Sequence, residues 1–259
     1  MQPRVGDVLI ESVTAESPKF TAPMLLIPGL WCAAAAWRKF MGYLAHRGWN
    51  CHALTLRGRR DSGAGSARFA DELADVHAVI AACEAPPVLL GHDLGGLLAL
   101  AANSAAVRAI GALAPIVPRA CAVTAHPALS GWHAWVGRRW GRLPPPHGHL
   151  GAVYFGGAVP GGSGPDSATI ARELVAAEFP FPATRAVPAL LLAGGRDRFS
   201  PAGAVERLAA RCGGTFRCAE DAGHAMPWEP GWERRVADVH RWLVQALGES
   251  LLLPREEED

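Results

Sequence analysis

A short apolar run leads into a glycine-rich turn in Leu89-Leu90-Gly91-His92-Asp93-Leu94-Gly95-Gly96. The apolar run is typical of a buried strand, and the Gly-x-Asp-x-Gly pattern after it is typical of a sharp turn from a strand into a helix. A turn of this kind lifts one side chain above the sheet. Here the lifted side chain is that of Asp93.

On both sides of this turn, short apolar runs alternate with amphipathic segments from about residue 23 onward. Predicted strands cover residues 24–27, 51–56, 87–91, 109–117, 189–193 and 215–218. Predicted helices cover residues 37–44, 69–83, 94–105, 204–211 and 232–247. This alternation predicts an α/β fold with a parallel sheet covered by helices on both faces.

Two later motifs follow the turn in a defined order. Asp197 comes directly after an apolar strand in Gly-Gly-Arg-Asp-Arg-Phe-Ser-Pro, and His224 lies in Ala-Gly-His-Ala-Met-Pro-Trp-Glu-Pro. With these motifs the chain resembles the α/β-hydrolase superfamily from about residue 24 to residue 247. The resemblance implies an α/β-hydrolase fold whose catalytic nucleophile, acid and histidine occur in this chain order. The corresponding residues are Asp93, Asp197 and His224; Asp221 is a rival acid that we interpret as shaping the histidine loop.

The length of 259 residues fits one domain. We expect its core at about residues 1–117 and 189–248, and a flexible tail at 249–259. Residues 118–188 interrupt the alternation and are rich in Trp, Pro and Gly, so the resemblance identifies them as a lid insertion. We predict lid helices around Trp132–Trp140 and Ile170–Leu174, with a flexible connector at 156–164.

Most members of the family have serine where this chain has Asp93. A serine requires a base to remove its proton, whereas an aspartate, with a reference pKa of about 3.9, is ionised near neutral pH unless burial raises that pKa. Carboxylate attack on an ester would give a mixed anhydride, which gains little over the ester. Attack on a saturated carbon that bears a leaving group gives a stable alkyl ester. Asp93 therefore points to epoxides or alkyl halides, with a pseudo-enzyme that has lost its serine as the alternative.

The stretch Pro28-Gly29-Leu30-Trp31 matches the family's oxyanion-hole loop, although the family usually has His-Gly where this chain has Pro28-Gly29. The resemblance implies that the backbone amide of Leu30 or Trp31 is one oxyanion donor and that of Leu94 is the other. His224, oriented by Asp197, would activate water to hydrolyse the alkyl-enzyme ester.

Relatives with an aspartate nucleophile include dehalogenases and epoxide hydrolases, and the chain departs from both patterns. Haloalkane dehalogenases usually have Trp directly after the nucleophile, and fluoroacetate-type dehalogenases usually have Arg there. This chain has Leu94 at that position. Trp31 could supply one indole N–H to a halide. Epoxide hydrolases use lid tyrosines to protonate the epoxide oxygen, and Tyr154 is the tyrosine in the predicted lid, with His133 as a substitute acid. Epoxide hydrolysis is favoured because it needs only one such donor.

Two other classes of function stay open. Asp93 could serve as an acid–base group in a cofactor-free lyase, cyclase or decarboxylase of a bacterial biosynthetic pathway. The chain could also be a non-catalytic homologue that binds a ligand under its lid. In each case the expected partner is an aromatic or anionic small molecule, because arginines and tryptophans share the lid; those arginines could equally form a solvated face. The expected substrate-binding residues are Trp31, Trp132, Trp135, Tyr154 and His133.

Composition limits the partners, cofactors and cell compartment that we expect for this protein. The net charge of +1 gives no reason to expect nucleic acid or a membrane surface as a partner, and the oligomeric state is open. The six cysteines show neither a C-x-x-C pair nor zinc spacing, so we expect no metal, no cofactor and reduced thiols in a cytoplasmic protein. The first 20 residues do not resemble a signal peptide, and lysine occurs only at Lys19 and Lys39, which suggests a GC-rich bacterial genome.

Overall fold

One eight-stranded sheet organises the protein, whose computed structural model describes residues 4–59, 67–118, 121, 141–176 and 187–252. The strands are β1 (Arg4–Val5), β2 (Val8–Val13), β3 (Met24–Ile27), β4 (Cys51–Thr55), β5 (Val88–His92), β6 (Ala109–Leu113), β7 (Arg142–Leu143), β8 (Asp166–Ser167), β9 (Ala189–Gly194) and β10 (Thr215–Ala219). Their order in the sheet is β1-β2-β4-β3-β5-β6-β9-β10, with β7 and β8 forming a separate pair. Strands β4, β3, β5, β6, β9 and β10, which are consecutive in the sheet, run parallel, and this confirms the predicted α/β-hydrolase fold class.

Helices connect the parallel strands, as the sequence periodicity predicts. They are α1 (Arg38–His46), α2 (Phe69–Ala81), α3 (Leu94–Ala101), α4 (Gly148–Tyr154), α5 (Ala168–Ala176), α6 (Ala202–Cys212) and α7 (Trp232–Leu247), with 3₁₀ turns at Ala34–Trp37 and Gly248–Leu251. Two clusters of buried apolar side chains lie on the two faces of the sheet. The central strand β5 is buried along its whole length, and each of its leucines contributes roughly 1.5–3 kcal/mol through burial.

The sequence pattern missed the edge of the sheet. It predicts no strand before residue 23, but β2 pairs antiparallel with β4 from Leu9–Thr55 to Val13–Cys51. Inward-facing Val8 and Ile10 are buried, while the end of the strand is exposed. Half-exposed strands carry polar residues on one face, so this segment has no continuous apolar run.

Within the predicted lid, the structure describes residues 141–176, in addition to Pro118, Cys121 and residues 187–188 at its ends. Residues 141–176 hold the β7–β8 pair, α4 and α5, and α5 includes the predicted helical positions Ile170 and Leu174. The other predicted lid helix, Trp132–Trp140, lies outside the described residues. Helix α4 was not predicted, because its seven residues are too short to show a helical period.

The first residues of the predicted flexible tail, 249–252, belong to regular structure. Residues of the Gly248–Leu251 turn continue from α7, and the carbonyl of Leu251 accepts a hydrogen bond from Thr21 N (2.9 Å). Leu252 then forms a bridge with Phe20. Burial of Leu251 explains this order, because its side chain joins the core cluster that includes Trp242. Among the helices within the described ranges, none is both long and apolar enough to cross a membrane.

Candidate active site

Asp93 sits at the turn between β5 and α3 in a conformation that few residues other than glycine adopt, with φ +53° and ψ −117°. Such backbone strain costs roughly 1–3 kcal/mol and persists only where the surroundings hold it. Here Asp93 N donates to Leu113 O (3.1 Å), and Asp93 O accepts from Ile116 N (3.0 Å) and Leu97 N (3.2 Å). These bonds hold the side chain above the carboxyl end of the sheet.

Two glycines let neighbouring backbone approach this turn. A Cβ at Gly95 would lie 2.1 Å from Ile27 O, at the end of β3. A Cβ at Gly29 would lie 2.7 Å from Asp93 Cβ and 2.9 Å from its Oδ2. All three distances are too short for a side chain unless the neighbouring atoms move, so the loop that follows β3 can lie directly against Asp93 because glycine occupies these two positions.

The structure brings Asp93, His224 and Asp197 together, each from the carboxyl end of a different parallel strand. His224 Nδ1 lies 2.9 Å from Asp197 Oδ2, and His224 Nε2 lies 3.5 Å from Asp93 Oδ1. The first contact is a hydrogen bond, and the second is long for one but close for an ion pair. Asp197 Oδ1 also accepts hydrogen bonds from Phe199 N (2.7 Å) and Ser200 N (3.0 Å), which orient the acid.

Charges in this site determine the protonation of His224. Burial disfavours the imidazolium, but the carboxylates of Asp197 and Asp93 outweigh it and raise the pKa of His224 to about 10. For Asp197, burial acts in the opposite direction, yet the positive His224 and the backbone donors hold its pKa below the usual value. In the resting site His224 therefore carries a proton between two carboxylates at neutral pH.

The Asp93 oxygen that does not face His224, Oδ2, accepts two hydrogen bonds. Leu30 N donates to Asp93 Oδ2 at 2.8 Å, and the Tyr154 hydroxyl donates to the same oxygen at 2.7 Å. Tyr154 is fully buried, and burial together with the charge of Asp93 raises its pKa well above the usual value. Its phenol therefore stays protonated and available as a donor.

A sequence comparison accounts for this architecture. The sequence model described as the Alpha/beta hydrolase family matches residues 24–239. This chain belongs to the α/β-hydrolase family.

Solved structures agree with the fold of this α/β-hydrolase. A monoacylglycerol lipase from Paleococcus ferrophilus is similar with a TM-score of 0.69 at 17% identity, covering 92% of this chain and 99% of that one. An esterase from Thermogutta terrifontis has a TM-score of 0.68 at 20% identity, covering 93% and 94%. A monoglyceride lipase from Saccharomyces cerevisiae has a TM-score of 0.71 at 14% identity, covering 93% and 92%. A comparison with curated proteins found no match. At these identities the likeness concerns the fold alone.

The two candidate amides of the predicted oxyanion-hole loop have different partners. Leu30 N points at Asp93, whereas Trp31 N donates to Asp166 Oδ2 (2.9 Å). The indole N–H of Trp31 donates to Leu143 O (3.0 Å), and its ring packs edge-on against Tyr154. This corrects the expectation that Trp31 supplies an oxyanion amide or a halide donor, because both of its N–H groups donate to other residues, Asp166 and Leu143. Leu94, the other candidate, begins α3 directly after Asp93.

The lid residues predicted to bind substrate are only partly described. Tyr154 lies at the Asp93 carboxylate, while Trp132, His133 and Trp135 lie outside the described residues. The rival acid Asp221 is paired with Arg234 at the surface instead of with His224. Among the described side chains, no group of three His, Cys, Asp or Glu residues could hold a metal ion.

Several residues that hold the site were not among the predicted site residues, although His92 directly precedes Asp93 in the turn motif and is interpreted from it as a packing and hydrogen-bonding residue. His92 Nε2 donates to the backbone carbonyl of His224 (2.8 Å), and burial together with the positive His224 lowers the pKa of His92 to about 4, so it remains neutral. Glu229 Oε1 accepts from Gly223 N (2.8 Å), which anchors the histidine loop. Asp166 accepts a hydrogen bond from Trp31 N, and Arg59 donates one to Gly29 O, so both bind the predicted oxyanion-hole loop. In the sequence, Asp166 is marked as the first acidic residue after 94–165, a stretch that contains no Asp or Glu.

Proposed function

We propose that this α/β-hydrolase hydrolyses an epoxide-type small organic substrate through an alkyl ester formed on Asp93. The observation that carries the proposal is the carboxylate on the strained turn, with His224 beside one oxygen and the Tyr154 hydroxyl 2.7 Å from the other. A carboxylate nucleophile, a general base and a phenolic proton donor are the three groups that epoxide hydrolysis needs.

The two oxygens of Asp93 have different roles in this scheme. Oδ2 receives the Leu30 amide, so it is the oxygen whose developing negative charge the loop can stabilise. Oδ1 faces His224 and is the oxygen assigned to attack the epoxide carbon. A bond forms between Oδ1 and that carbon as the carbon–oxygen bond of the epoxide breaks, and the released oxygen takes a proton from Tyr154. The Tyr154 ring lies 4.7 Å from that of His224, whose own proton restores the phenol.

Ester formation prepares His224 for the second step. The charge of Asp93 is one cause of the raised pKa of His224, and an ester carries no charge, so the pKa of His224 falls and the imidazole becomes a base. It takes a proton from water as the oxygen attacks the Asp93 carboxyl carbon. The tetrahedral intermediate places its charge on Oδ2, and collapse releases the diol with a proton returned by His224. The acid left on Asp93 then gives its proton to His224, which restores the resting site.

The structural similarity to lipases and esterases does not favour an ester as the substrate of this protein. The terms lipase and esterase describe the related structures, and at 17% and 20% identity the similarity concerns the fold alone. An aspartate at the turn would convert an ester into a mixed anhydride, which gains little over the ester itself. A strained three-membered ring releases energy on opening, so the same nucleophile is well matched to it.

Oxygen isotopes test the proposal directly. A single turnover of wild-type enzyme in excess over styrene oxide, or another active member of an epoxide panel, is carried out in water labelled with oxygen-18. The first diol should be unlabelled, because its new oxygen comes from Asp93, and mass spectrometry should find the label in the Asp93 peptide. Label in the first diol instead would contradict the ester mechanism, since water would then have attacked the substrate itself.

A second candidate function has its own supporting contact. The Tyr154 hydroxyl, the Asp93 carboxylate and the His224 imidazole form a continuous path for a proton. Such a path suits an acid–base role for Asp93 in a cofactor-free lyase or cyclase. That reaction would consume no water, so label would enter neither the product nor Asp93.

Removal of the phenol is expected to slow epoxide opening. Tyr154→Phe should lower the rate of ester formation by about 10²-fold or more, in the range of a lost general acid, because the leaving oxygen would depart unprotonated. Rapid quenching and intact-protein mass spectrometry would follow the ester. The matched control is Tyr43→Phe on α1, whose ring stacks against the Arg47 side chain and should leave the rate unchanged. Equal rates for both variants would remove Tyr154 from the reaction.

A further inference from the structure

A buried arginine lies beneath the oxyanion-hole loop, outside the catalytic groups described above. Arg59 follows β4, and its side chain is 3% exposed. Its Nη1 donates to Gly29 O at 3.0 Å and to the carbonyl oxygens of Pro28 and Cys32 at 3.4 Å each. Three carbonyl groups of one short loop thus turn toward a single guanidinium.

The contact with Gly29 has a direct consequence for Leu30. Gly29 O and Leu30 N belong to the same peptide unit, and in a trans peptide the C=O and N–H bonds point in opposite directions. Because Arg59 holds the oxygen on one side, the N–H is aimed at the other side, where it meets Asp93 Oδ2 at 2.8 Å. A charged donor on the carbonyl also polarises the amide and strengthens that hydrogen bond.

The next peptide is held by the lid. Asp166 Oδ2 accepts the amide of Trp31 at 2.9 Å and lies 3.2 Å from Arg59 Nε. Gly164 N donates to the carbonyl of Trp31 at 3.0 Å. Both backbone groups of Trp31 are therefore fixed by residues of the β8 region, and the same aspartate fixes the arginine.

A contribution to the stability of the fold does not by itself explain the cluster of Arg59, Asp166 and Glu72. Arg59 also pairs with Glu72, at 3.2 Å from Nη2 to each carboxylate oxygen, and all three charged side chains are buried. Buried ion pairs lose much of their attraction to desolvation, and apolar replacements are often equally stable. What an apolar cluster could not do is orient the carbonyl groups of the loop.

We propose that Arg59, assisted by Asp166, is a positioning residue that aims the Leu30 amide at Asp93. Its kinetic consequence rests on the proposed function, since the amide matters most when charge develops on Oδ2 during ester hydrolysis. Its structural consequence, the strength of the Leu30 hydrogen bond, can be measured without any reaction.

The test uses Arg59→Lys, which keeps the positive charge but cannot donate from one plane to the loop and two carboxylates together. The control is Arg57→Lys, two residues earlier, because Arg57 pairs with Asp75 and is partly exposed. Gly29–Leu30 and Gly96–Leu97 are the two Gly-Leu pairs in the chain. Carbonyl-labelled glycine with nitrogen-labelled leucine therefore isolates the Leu30 amide in NMR spectra, with Leu97 as an internal reference.

In Arg59→Lys the Leu30 amide proton should move upfield as its hydrogen bond lengthens, while Leu97 stays in place. Arg57→Lys should leave both resonances unchanged. Hydrolysis of the ester should slow by roughly 10- to 100-fold, less than the loss of a whole oxyanion donor, and ester formation should not slow.

Folded Arg59→Lys with an unmoved Leu30 resonance would overturn the proposal. If that variant does not fold, Asp166→Asn provides the same test, because it removes the charge beside Arg59 Nε; an unmoved Leu30 resonance there has the same meaning. If no variant forms an ester but the Leu30 resonance moves, the proposed reaction fails while the positioning role stands.

Discussion

Replacement of Asp93 by asparagine is expected to lower kcat/KM for epoxide hydrolysis by about 10⁴-fold or more, the loss typical of removing a group on which a covalent mechanism depends. Asparagine has the same shape, and its carbonyl oxygen can still accept from Leu30 N and Tyr154. Its amide nitrogen, however, would take the place of Oδ1 and cannot attack carbon. The variant should therefore bind substrate normally and fail to react.

The matched control for this experiment is Asp221→Asn. Asp221 lies three residues before His224 and is an acid of the same loop region, but it pairs with Arg234 at the surface. Its loss should leave kcat/KM within about threefold of wild type, since surface ion pairs contribute at most about 1 kcal/mol. Steady-state assays on the best epoxide of the panel measure both variants, with thermal unfolding to show that each is folded. Activity of Asp93→Asn within tenfold of the control would contradict a nucleophilic role.

Replacement of His224 by glutamine should separate the two halves of the reaction. Ester formation needs the Asp93 carboxylate and the Tyr154 proton, whereas ester hydrolysis needs the base. The variant should therefore complete one half-reaction and accumulate the alkyl-enzyme, with hydrolysis slowed by about 10³-fold or more. Intact-protein mass spectrometry and peptide mapping should find one adduct per chain, located at Asp93.

The mass of that adduct also identifies the substrate class. Epoxide opening adds the whole substrate, while halide displacement adds the substrate without HX. His240→Gln is the control, because His240 lies on α7, where it accepts a hydrogen bond from Trp49 Nε1 (3.1 Å). It should turn over without accumulating an adduct. A folded His224→Gln protein with no adduct across epoxides and alkyl halides would favour Asp93 as an acid–base group.

The local sequence was sufficient to predict the strands and the turn that carry the site. Buried parallel strands appear as continuous apolar runs, so β3 and β5 were predicted nearly to the residue, and the glycine-rich turn after β5 located Asp93. The strand β2 was missed because a strand with one exposed face lacks such a run. The sequence also established the chain order of Asp93, Asp197 and His224, since each follows a predicted strand.

Tertiary structure alone decided which groups meet at the carboxylate. The sequence offered the amides of Leu30 and Trp31 as equals, and the fold directs one to Asp93 and the other to Asp166, 135 residues away in the chain. The sequence offered Tyr154 as the proton donor, with His133 as a substitute, and packing places the Tyr154 hydroxyl on Asp93, 61 residues distant. Local patterns encode burial and turns, because these depend on neighbouring residues. The direction of a single N–H or O–H bond depends on packing between distant segments, and no local pattern records it.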